Sequence, residues 1–364
     1  MKNNFTFLHI SDLHLAKKSN CQHVGQYAHE NGIRRAFLDI HKIKEKGYER
    51  TLFTPTTYDA EILNTFQEAI DEILQEDPVL SETPMILLTG DIATTASNKN
   101  LRTAKDILTS EINYENLTDA LIPSYINNTS TYNIYDFLYL LPGNHDRFCI
   151  KPGNNFFKQG LETFSEYFYE KWEKHERISV EEFDDFIMIF ADFSLPEGFY
   201  YRQYENCDNK NILLTKEEKD GSFYGKGIYT VQLKEELEGI LEKIQDLDID
   251  NKKILFISHF ALITDDADLE LINSEMLIET LNKYNITNFF CGHTHEAKYD
   301  IIDNIQHICC GSALGCSMDD NFSFMKHSIY KDEEKYVLET TEYKYIYSNT
   351  SGYFHEKEPR ICII

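Results

Sequence analysis

Five clusters of polar side chains, each placed directly after an apolar run, constrain this chain more than any other feature. One apolar run, residues 137–141, leads through Pro142 into the motif Gly143-Asn144-His145-Asp146. The other clusters are Asp12 with His14, Gly90 with Asp91, His259 alone, and Gly292 with His293 and His295. Short apolar runs bounded by Gly or Pro are typical of buried strands. The pattern therefore predicts strands whose ends deliver side chains to a common site.

The spacing of apolar residues along the chain predicts the strands and helices. Buried strands are predicted at 5–10, 84–89, 137–141, 186–191, 253–258 and 286–291. Amphipathic helices are predicted at 60–76, 156–173, 231–246 and 269–284. Strand-like alternation follows at 305–309, 336–341 and 343–347. Strands and helices that alternate along the chain predict an α/β protein.

The chain is expected to form one domain over residues 1–364. Residues 17–58 and 97–135 lack a sustained period and are interpreted as insertions, the second of them partly helical around 101–112. A β-rich extension is expected from about residue 325. Neither an internal repeat nor a flexible linker marks a domain boundary, so a single core with insertions is the simplest organisation.

The charge of the chain limits its partners. The formal net charge is -26, and no block of Lys or Arg interrupts it. A chain this acidic repels polyanions at long range, so long duplex nucleic acid is not expected as a partner. The acidic residues either solvate the surface or partly offset bound cations.

The location of the protein is predicted from its apolar runs and its cysteines. No run reaches the roughly 18 residues that a membrane-spanning helix needs, and the apolar stretch near the amino terminus is too short for a signal peptide. The eight cysteines include no CxxC pair, which favours reduced thiols over a disulfide framework. We therefore expect a cytoplasmic protein without a membrane partner, and the sequence assigns no oligomeric state.

The clusters contain side chains that commonly bind metals. Asp12 and His14 are two residues apart, so on an extended segment both point the same way and can reach one ion. Taken alone, this pair could be a turn aspartate beside a surface histidine, and Gly90-Asp91 could be an ordinary turn. Together, the clusters supply seven candidate ligands: Asp12, His14, Asp91, Asn144, His259, His293 and His295.

The composition of this set indicates two ions. Imidazoles, carboxylates and one amide without cysteine suit Mn, Fe or Zn in open sites rather than a closed structural zinc. Seven ligands exceed what one ion usually takes. Two ions about 3.5 to 4 Å apart would polarise a phosphoryl oxygen and generate a hydroxide nucleophile at neutral pH.

In their order along the chain, these blocks resemble the signature of the calcineurin-like metallophosphoesterase superfamily. The resemblance covers the strand-end motifs and the core between them, and leaves out the insertions and the tail. It implies a four-layer α/β sandwich in which two mixed β-sheets pack face to face and are flanked by helices. It also implies two divalent or mixed-valence metal ions.

The resemblance also implies a role for each residue. The residues holding one ion would be Asp12, His14, Asp91 and His295, and those holding the other Asp91, Asn144, His259 and His293. Asp91 would bridge the ions. His145 and Asp146 would be the catalytic pair, with the His145 imidazole facing the substrate phosphate and Asp146 orienting the loop. Arg147 is a second candidate for substrate binding.

Differences from the patterns of individual subgroups count against two of them, the protein Ser/Thr phosphatases and the UDP-diacylglucosamine hydrolases. Protein Ser/Thr phosphatases of the family carry an aspartate where this chain has Thr94. The UDP-diacylglucosamine hydrolases carry arginine where His145 stands. The closest likeness is to the bacterial class III cyclic-nucleotide phosphodiesterase group, through Gly143 to Arg147 and looser matches at 192–194, 225–233 and 311–313.

The sequence thus predicts a dinuclear metal-dependent phosphoesterase. It is expected to hydrolyse phosphodiester bonds of a cyclic nucleotide or another small nucleotide by attack of metal-bound hydroxide. Two alternatives stay open: a DNA or RNA nuclease of the repair-exonuclease type, whose His-Ile-Ser-Asp-x-His opening this chain shares, and a non-catalytic metal-binding regulatory protein of the same fold.

Overall fold

The structure is a computed structural model that describes residues 5–15, 60–94, 98–109, 138–147, 164, 166–168, 177–194, 227–246, 252–266, 269–315, 322–346 and 352–364. The predicted insertion 17–58 lies outside the described residues, as do 110–135 of the second insertion and most of the predicted helix 156–173. Residues 164 and 166–168 of that helix are described and are helical.

The described residues form the following elements. The first strands are β1 (Phe5–Ile10), β2 (Ile86–Thr89), β3 (Leu138–Leu141), β4 (Ile178–Glu182), β5 (Phe186–Ala191), β6 (Lys253–Ser258) and β7 (Asn288–Cys291). They are followed by β8 (Lys298–Ile302), β9 (Ile305–Cys309), β10 (Ser323–Asp332), β11 (Lys335–Ile346), β12 (Tyr353–Glu356) and β13 (Arg360–Ile363). The helices are α1 (Ala60–Glu76), α2 (Asn98–Thr109), α3 (Val231–Asp246) and α4 (Ser274–Lys283), with a 3-10 turn at His145–Arg147.

Within the described part of the chain, the strands form two mixed sheets. The seven-stranded sheet has the order β12-β11-β10-β1-β2-β3, with β13 pairing alongside β11. The six-stranded sheet has the order β4-β5-β6-β7-β9-β8. Strand β10 pairs antiparallel with β1, so the C-terminal strands extend the first sheet next to its central strand.

The layers follow from the alternation of side chains along the strands. In β1, Phe7 points into the core between the sheets, where its ring lies 5.7 Å from that of Phe290 in the second sheet. Leu8 and Ile10 point to the opposite face, against α1 and α2. Helices α3 and α4 cover the outer face of the second sheet. The predicted α/β class, with two mixed sheets packed face to face and flanking helices, is confirmed.

Several predicted elements have different bounds in the structure. Helices 60–76 and 231–246 and strands 5–10, 186–191, 253–258 and 305–309 were predicted at their observed bounds. The prediction of a helix from residue 269 was wrong at its start: Glu270 and Ile272 form parallel bridges to Ala261 and Ile228, and the helix begins at Ser274. The strands predicted at 336–341 and 343–347 are the single strand β11, which β10 pairs along its length.

The topology brings the carboxyl ends of the key strands together. Strands β1, β2 and β3 are parallel neighbours in the first sheet. Strands β5, β6 and β7 are parallel neighbours in the second. Parallel neighbours end at the same edge of a sheet, which is where α/β proteins bind ligands. No helix in the described part of the chain is both long and apolar enough to cross a bilayer.

Replacing Phe290 with alanine tests the core between the sheets. Phe290 is fully buried there, so Phe290→Ala should lower the free energy of unfolding by about 3 to 5 kcal/mol through lost burial and an unfilled cavity. Ile301, on the edge strand β8, is 80% exposed, and Ile301→Ala should change it by less than about 0.5 kcal/mol. Urea unfolding measures both. Equal losses in the two variants would contradict this assignment of the core.

Candidate metal centre

All seven predicted ligands lie in loops that directly follow strands. Asp12 and His14 follow β1, and Asp91 follows β2. The remaining ligands are Asn144 after β3, His259 after β6, and His293 and His295 after β7. The structure brings these loops from both sheets together, and the seven side chains form two adjoining groups of donor atoms.

The first group consists of Asp12, His14 and His295. The His295 Nε2 atom lies 3.3 Å from Asp12 Oδ1 and 3.1 Å from His14 Nε2. The His14 Nε2 atom lies 3.8 Å from Asp12 Oδ1. Three donor atoms thus face one point.

The second group consists of Asn144, His259, His293 and Asp91. The His259 Nε2 atom lies at its centre, 3.2 Å from Asn144 Oδ1 and 3.2 Å from His293 Nδ1. Asp91 Oδ2 is 3.6 Å from the same nitrogen. This oxygen is also 3.7 Å from His14 Nε2 in the first group. Asp91 is therefore placed between the two groups.

These separations suit a bound cation. Donor atoms about 2.0 to 2.2 Å from a metal lie roughly 3 to 3.5 Å from one another, which is close to most of the distances here. Asp12 Oδ1 is buried and makes no hydrogen bond of acceptable angle among the described residues, although His295 Nε2 lies 3.3 Å away. A buried carboxylate oxygen in that situation is costly unless a cation compensates it. The donor set therefore fits bound metal ions, with Asp91 between the two groups.

The backbone at the site is unusual. Five of the seven predicted ligands have positive φ angles: Asp12 (55°), His14 (48°), Asp91 (49°), His293 (73°) and His295 (59°). This left-handed conformation costs an L-residue about 1 to 2 kcal/mol. Such strain persists only where the surrounding structure enforces it, and it clusters at functional sites.

Hydrogen bonds between the loops enforce this conformation. The backbone N–H of Asp12 donates to the carbonyl of Gly90 (3.1 Å), and that of His14 donates to the carbonyl of Asp91 (2.9 Å). Across the sheets, the His293 N–H donates to Asp12 Oδ2 (2.9 Å). The loops after β1, β2 and β7 are thereby held as one unit.

Carboxylates and imidazoles lie close together at the site and shift one another's pKa values. Burial alone would raise the pKa of Asp91, but His259 and His145 hold it well below its usual value. Burial alone would lower the pKa of His259, but the Asp91 carboxylate outweighs burial and raises it to about 9. Burial, together with His259, lowers the pKa of His293 to about 3. A metal ion would therefore compete with a proton for His259.

His145 lies beside the two groups and is fixed at its backbone and at its ring. Its N–H donates to Asp91 Oδ1 (2.8 Å), and its Nδ1 lies 2.9 Å from the carbonyl oxygen of Thr94. Because a carbonyl only accepts, this contact assigns the proton to Nδ1. The other ring nitrogen, Nε2, is then the acceptor nitrogen of a neutral ring.

Asp146 is fully buried and holds two loops together. Its carboxylate accepts hydrogen bonds from the backbone N–H groups of Ile92 (3.1 Å), Ala93 (2.8 Å) and Gly143 (3.0 Å). Burial and the nearby Asp91 carboxylate raise its pKa to about 7, against these hydrogen bonds. These hydrogen bonds join the loop after β2 to the loop after β3. The side chain of Arg147 lies outside the described residues.

Sequence reasoning missed the parts of the site that act through backbone atoms. The carbonyl oxygen of Thr89 lies 2.6 Å from His259 Nδ1, and the carbonyl of Thr94 holds His145. Ser312 Oγ and the Gly315 N–H each lie 2.9 Å from the carbonyl of Asp12. Nearly every residue type can supply a backbone carbonyl or N–H, so residue identity carries no signal for these groups, and only the Ser312 hydroxyl depends on its residue type. In the sequence, the Gly-Ser-Ala segment at 311–313 indicates a family likeness and no contact with the site.

Comparison with known proteins assigns the family. The calcineurin-like phosphoesterase model matches residues 5–297, which include all seven predicted ligands and His145. The chain belongs to the calcineurin-like phosphoesterase family. Membership supports a metal-dependent phosphoester hydrolase, and the two groups of donor atoms agree with the divalent metals typical of this family. No curated protein matches the sequence.

Solved structures that are similar to the chain have low identity. They include GAP50, the anchor in the inner membrane complex of Plasmodium, at 11% identity and a TM-score of 0.39, covering 99% of this chain and 89% of that one. A putative 5'-nucleotidase of Staphylococcus aureus has 11% identity and a TM-score of 0.41, covering 99% and 54%. The calcineurin-like phosphoesterase YfkN of Bacillus subtilis has 10% identity and a TM-score of 0.37, covering 99% and 91%. At this level these likenesses add nothing to the family match.

The close approach of Gly143 to Asp91 can be tested directly. A Cβ at Gly143 would lie 2.1 Å from Asp91 Oδ1 and 2.5 Å from Asp91 N, so Gly143→Ala should lower the free energy of unfolding by about 1 to 3 kcal/mol. At Gly239 on α3 an added Cβ meets nothing within 4 Å, and Gly239→Ala should raise it by about 0.5 to 1 kcal/mol. Urea unfolding of both variants is the measurement. A neutral Gly143→Ala would show that the loop after β3 does not approach Asp91 as described.

Proposed function

We propose that this protein is a dinuclear metal-dependent phosphodiesterase that hydrolyses a cyclic nucleotide or another small nucleotide. The observation that carries the proposal is the position of Asp91 Oδ2, within 3.7 Å of His14 and 3.6 Å of His259 in the two groups of donor atoms. His145 stands directly beside this carboxylate. Such an arrangement suits two-metal hydrolysis of a phosphoester.

Each donor group would hold one ion. The first ion would be held by Asp12, His14, Asp91 and His295, and the second by Asp91, Asn144, His259 and His293. The mixture of imidazole, carboxylate and amide donors suits Mn, Fe or Zn. Such a pair, when bound, polarises a phosphoryl oxygen and makes water nucleophilic at neutral pH.

The residues beside the metals would complete the chemistry. His145, held at Nδ1 by Thr94, would present Nε2 to the substrate phosphate and, when protonated, give its proton to the leaving oxygen. Asp146 would keep the loop in place through its three backbone N–H partners. Arg147 would add a positive charge for substrate binding.

The choice of a small nucleotide diester rests on three observations. The Nδ1 of His145 faces a backbone carbonyl of Thr94, where the protein phosphatases of this family would place an aspartate. The motif from Gly143 to Arg147 is the one shared with the class III phosphodiesterase group. The charge of -26 opposes the approach of a long polyanion.

The two alternatives have less support. A repair-type nuclease would need affinity for a long strand despite the acidic charge, and its binding would fall steeply with salt. A regulatory protein without turnover would be expected to have lost part of the site. Here all seven predicted ligands and His145 lie together.

Removing a predicted ligand should abolish turnover. Asp91→Ala removes the carboxylate between the two donor groups, and His293→Ala removes a donor of the second. Each should reduce hydrolysis of bis(p-nitrophenyl) phosphate with Mn present by at least about a thousandfold, since several kcal/mol of charge stabilisation would be lost. His355, an exposed histidine on β12, offers a matched control, and His355→Ala should keep full activity. Full activity in a folded Asp91→Ala variant would overturn the proposal.

Two neighbouring substitutions separate metal binding from chemistry. His145→Ala should keep both metals and lower the rate by about 100- to 10,000-fold, the usual contribution of a general acid. Asn144→Ala should weaken one of the two ions. Metal content by elemental analysis, measured beside steady-state rates, distinguishes the two effects. Loss of metal from His145→Ala would mean that this imidazole is itself a ligand.

The substrate class is tested by one panel in the presence of Mn. Cyclic mononucleotides, cyclic dinucleotides, nucleotide monoesters and short single-stranded oligonucleotides would be compared by kcat/KM. A preference for a cyclic nucleotide supports the proposal. A preference for oligonucleotides that falls with salt would favour the nuclease, and metal binding without turnover of any of them would favour the regulatory protein.

A further inference from the structure

Two buried histidines lie between the sheets, outside the seven predicted ligands. His9 on β1 and His327 on β10 are both fully buried. The His9 Nδ1 and His327 Nε2 atoms are 3.3 Å apart. Around them the core between the sheets is apolar, with Phe7 and Phe290 in ring contact with His327. An apolar side chain at either position would fill the space without burying polar nitrogen atoms. The presence of two imidazoles here therefore has to be explained by what their nitrogens contact.

The two imidazoles belong to a continuous line of polar contacts. His9 Nε2 lies 2.9 Å from Thr89 Oγ1, and His327 Nδ1 lies 2.9 Å from Thr340 Oγ1. Burial lowers the pKa of His9 to about 3 and that of His327 well below its usual value, so both rings are neutral. A neutral imidazole has one donor and one acceptor nitrogen. Each ring can therefore donate one hydrogen bond and accept another, if all the donors along the line point the same way.

The line ends at Thr89, and the backbone of this residue contacts the candidate metal centre. Thr89 is the last residue of β2, and its carbonyl oxygen lies 2.6 Å from His259 Nδ1. One residue thus contacts His9 through its hydroxyl and His259 through its carbonyl. The carbonyl requires the proton of His259 on Nδ1, which leaves Nε2 to face Asn144 and Asp91. Partners of this kind orient metal-binding imidazoles and set their tautomer.

We infer that His9 is a positioning residue: through Thr89 it fixes the orientation of His259, and His327 holds His9 from behind. This inference rests on the proposed function, because it concerns the second of the two proposed ions. The described hydrogen-bond partners of the His9 ring are Thr89 and His327, neither of which is a predicted ligand. Its effect should therefore fall on one metal position only.

The test is a titration of the full-length, metal-free chain with Mn²⁺, followed by calorimetry. The wild type should bind two ions. Thr89→Val keeps the carbonyl and the branched shape but removes the hydroxyl, and His9→Phe replaces the imidazole with a phenyl ring that has no nitrogens. Each should weaken one ion about 10- to 100-fold, the usual effect of losing such a partner, and leave the other unchanged. His9→Gln, whose amide can pair with the Thr89 hydroxyl, should recover most of the lost affinity.

Two controls separate positioning from a general structural effect. Thr6 on β1 is also buried, and its hydroxyl donates to Ser328 Oγ on β10 (3.2 Å). Thr6→Val is thus the same chemical change on the strand that carries His9, and it should leave both ions as in the wild type. In a His259→Ala background, where the oriented ligand is gone, Thr89→Val should have no further effect on the remaining ion.

The outcomes separate this inference from the proposed function. If the wild type binds two ions and Thr89→Val binds both equally well, the inference fails and the proposed function stands. Equal weakening of both ions in Thr89→Val would indicate a general structural role and would also overturn the inference. If the wild type binds no Mn²⁺, both fail together. Should His9→Phe not fold, as judged by circular dichroism, Thr89→Val decides the matter.

Discussion

The candidate site depends on one buried carboxylate, that of Asp91. Its Oδ2 lies between His14 of the first sheet and His259 of the second, and its Oδ1 accepts the backbone N–H of His145. A carboxylate buried this deeply is stable only when nearby charges and donors compensate it. The site therefore depends on the packing of the two sheets. Each group of donors takes side chains from both sheets, so neither group forms fully unless both sheets are in place.

Strain at the site is held by the rigid core beneath it. Five predicted ligands have left-handed backbone, a conformation that an isolated loop would relax. Here the loops after β1 and β2 run side by side, joined by the N–H of His14 to the carbonyl of Asp91 and the N–H of Thr94 to the carbonyl of Leu15. The sheets that carry these loops are packed through fully buried aromatic residues. The core thus supplies the free energy that keeps the donors converging on two points.

Much of the fold could be predicted because its patterns are strong. The helix at 60–76 has a clear apolar stripe, and strand 186–191 is buried at every position. The start of the helix at 274 could not be predicted, because Glu270 and Ile272 before it pair as bridges with Ala261 and Ile228 in other segments. The residues of the site were readable because metals require particular side chains. The carbonyls of Thr89 and Thr94 were not, since any residue offers one.

The sequence by itself determined the chemistry of the donors. Asp, His and Asn placed after apolar runs restrict what the chain can bind, whatever the details of its packing. Only the tertiary structure decided how these donors divide around Asp91, which nitrogen of His145 is held, and that His9 reaches Thr89. Those are distances between residues up to about 280 positions apart, such as His14 and His295. They depend on how two sheets pack, and no local pattern encodes that packing.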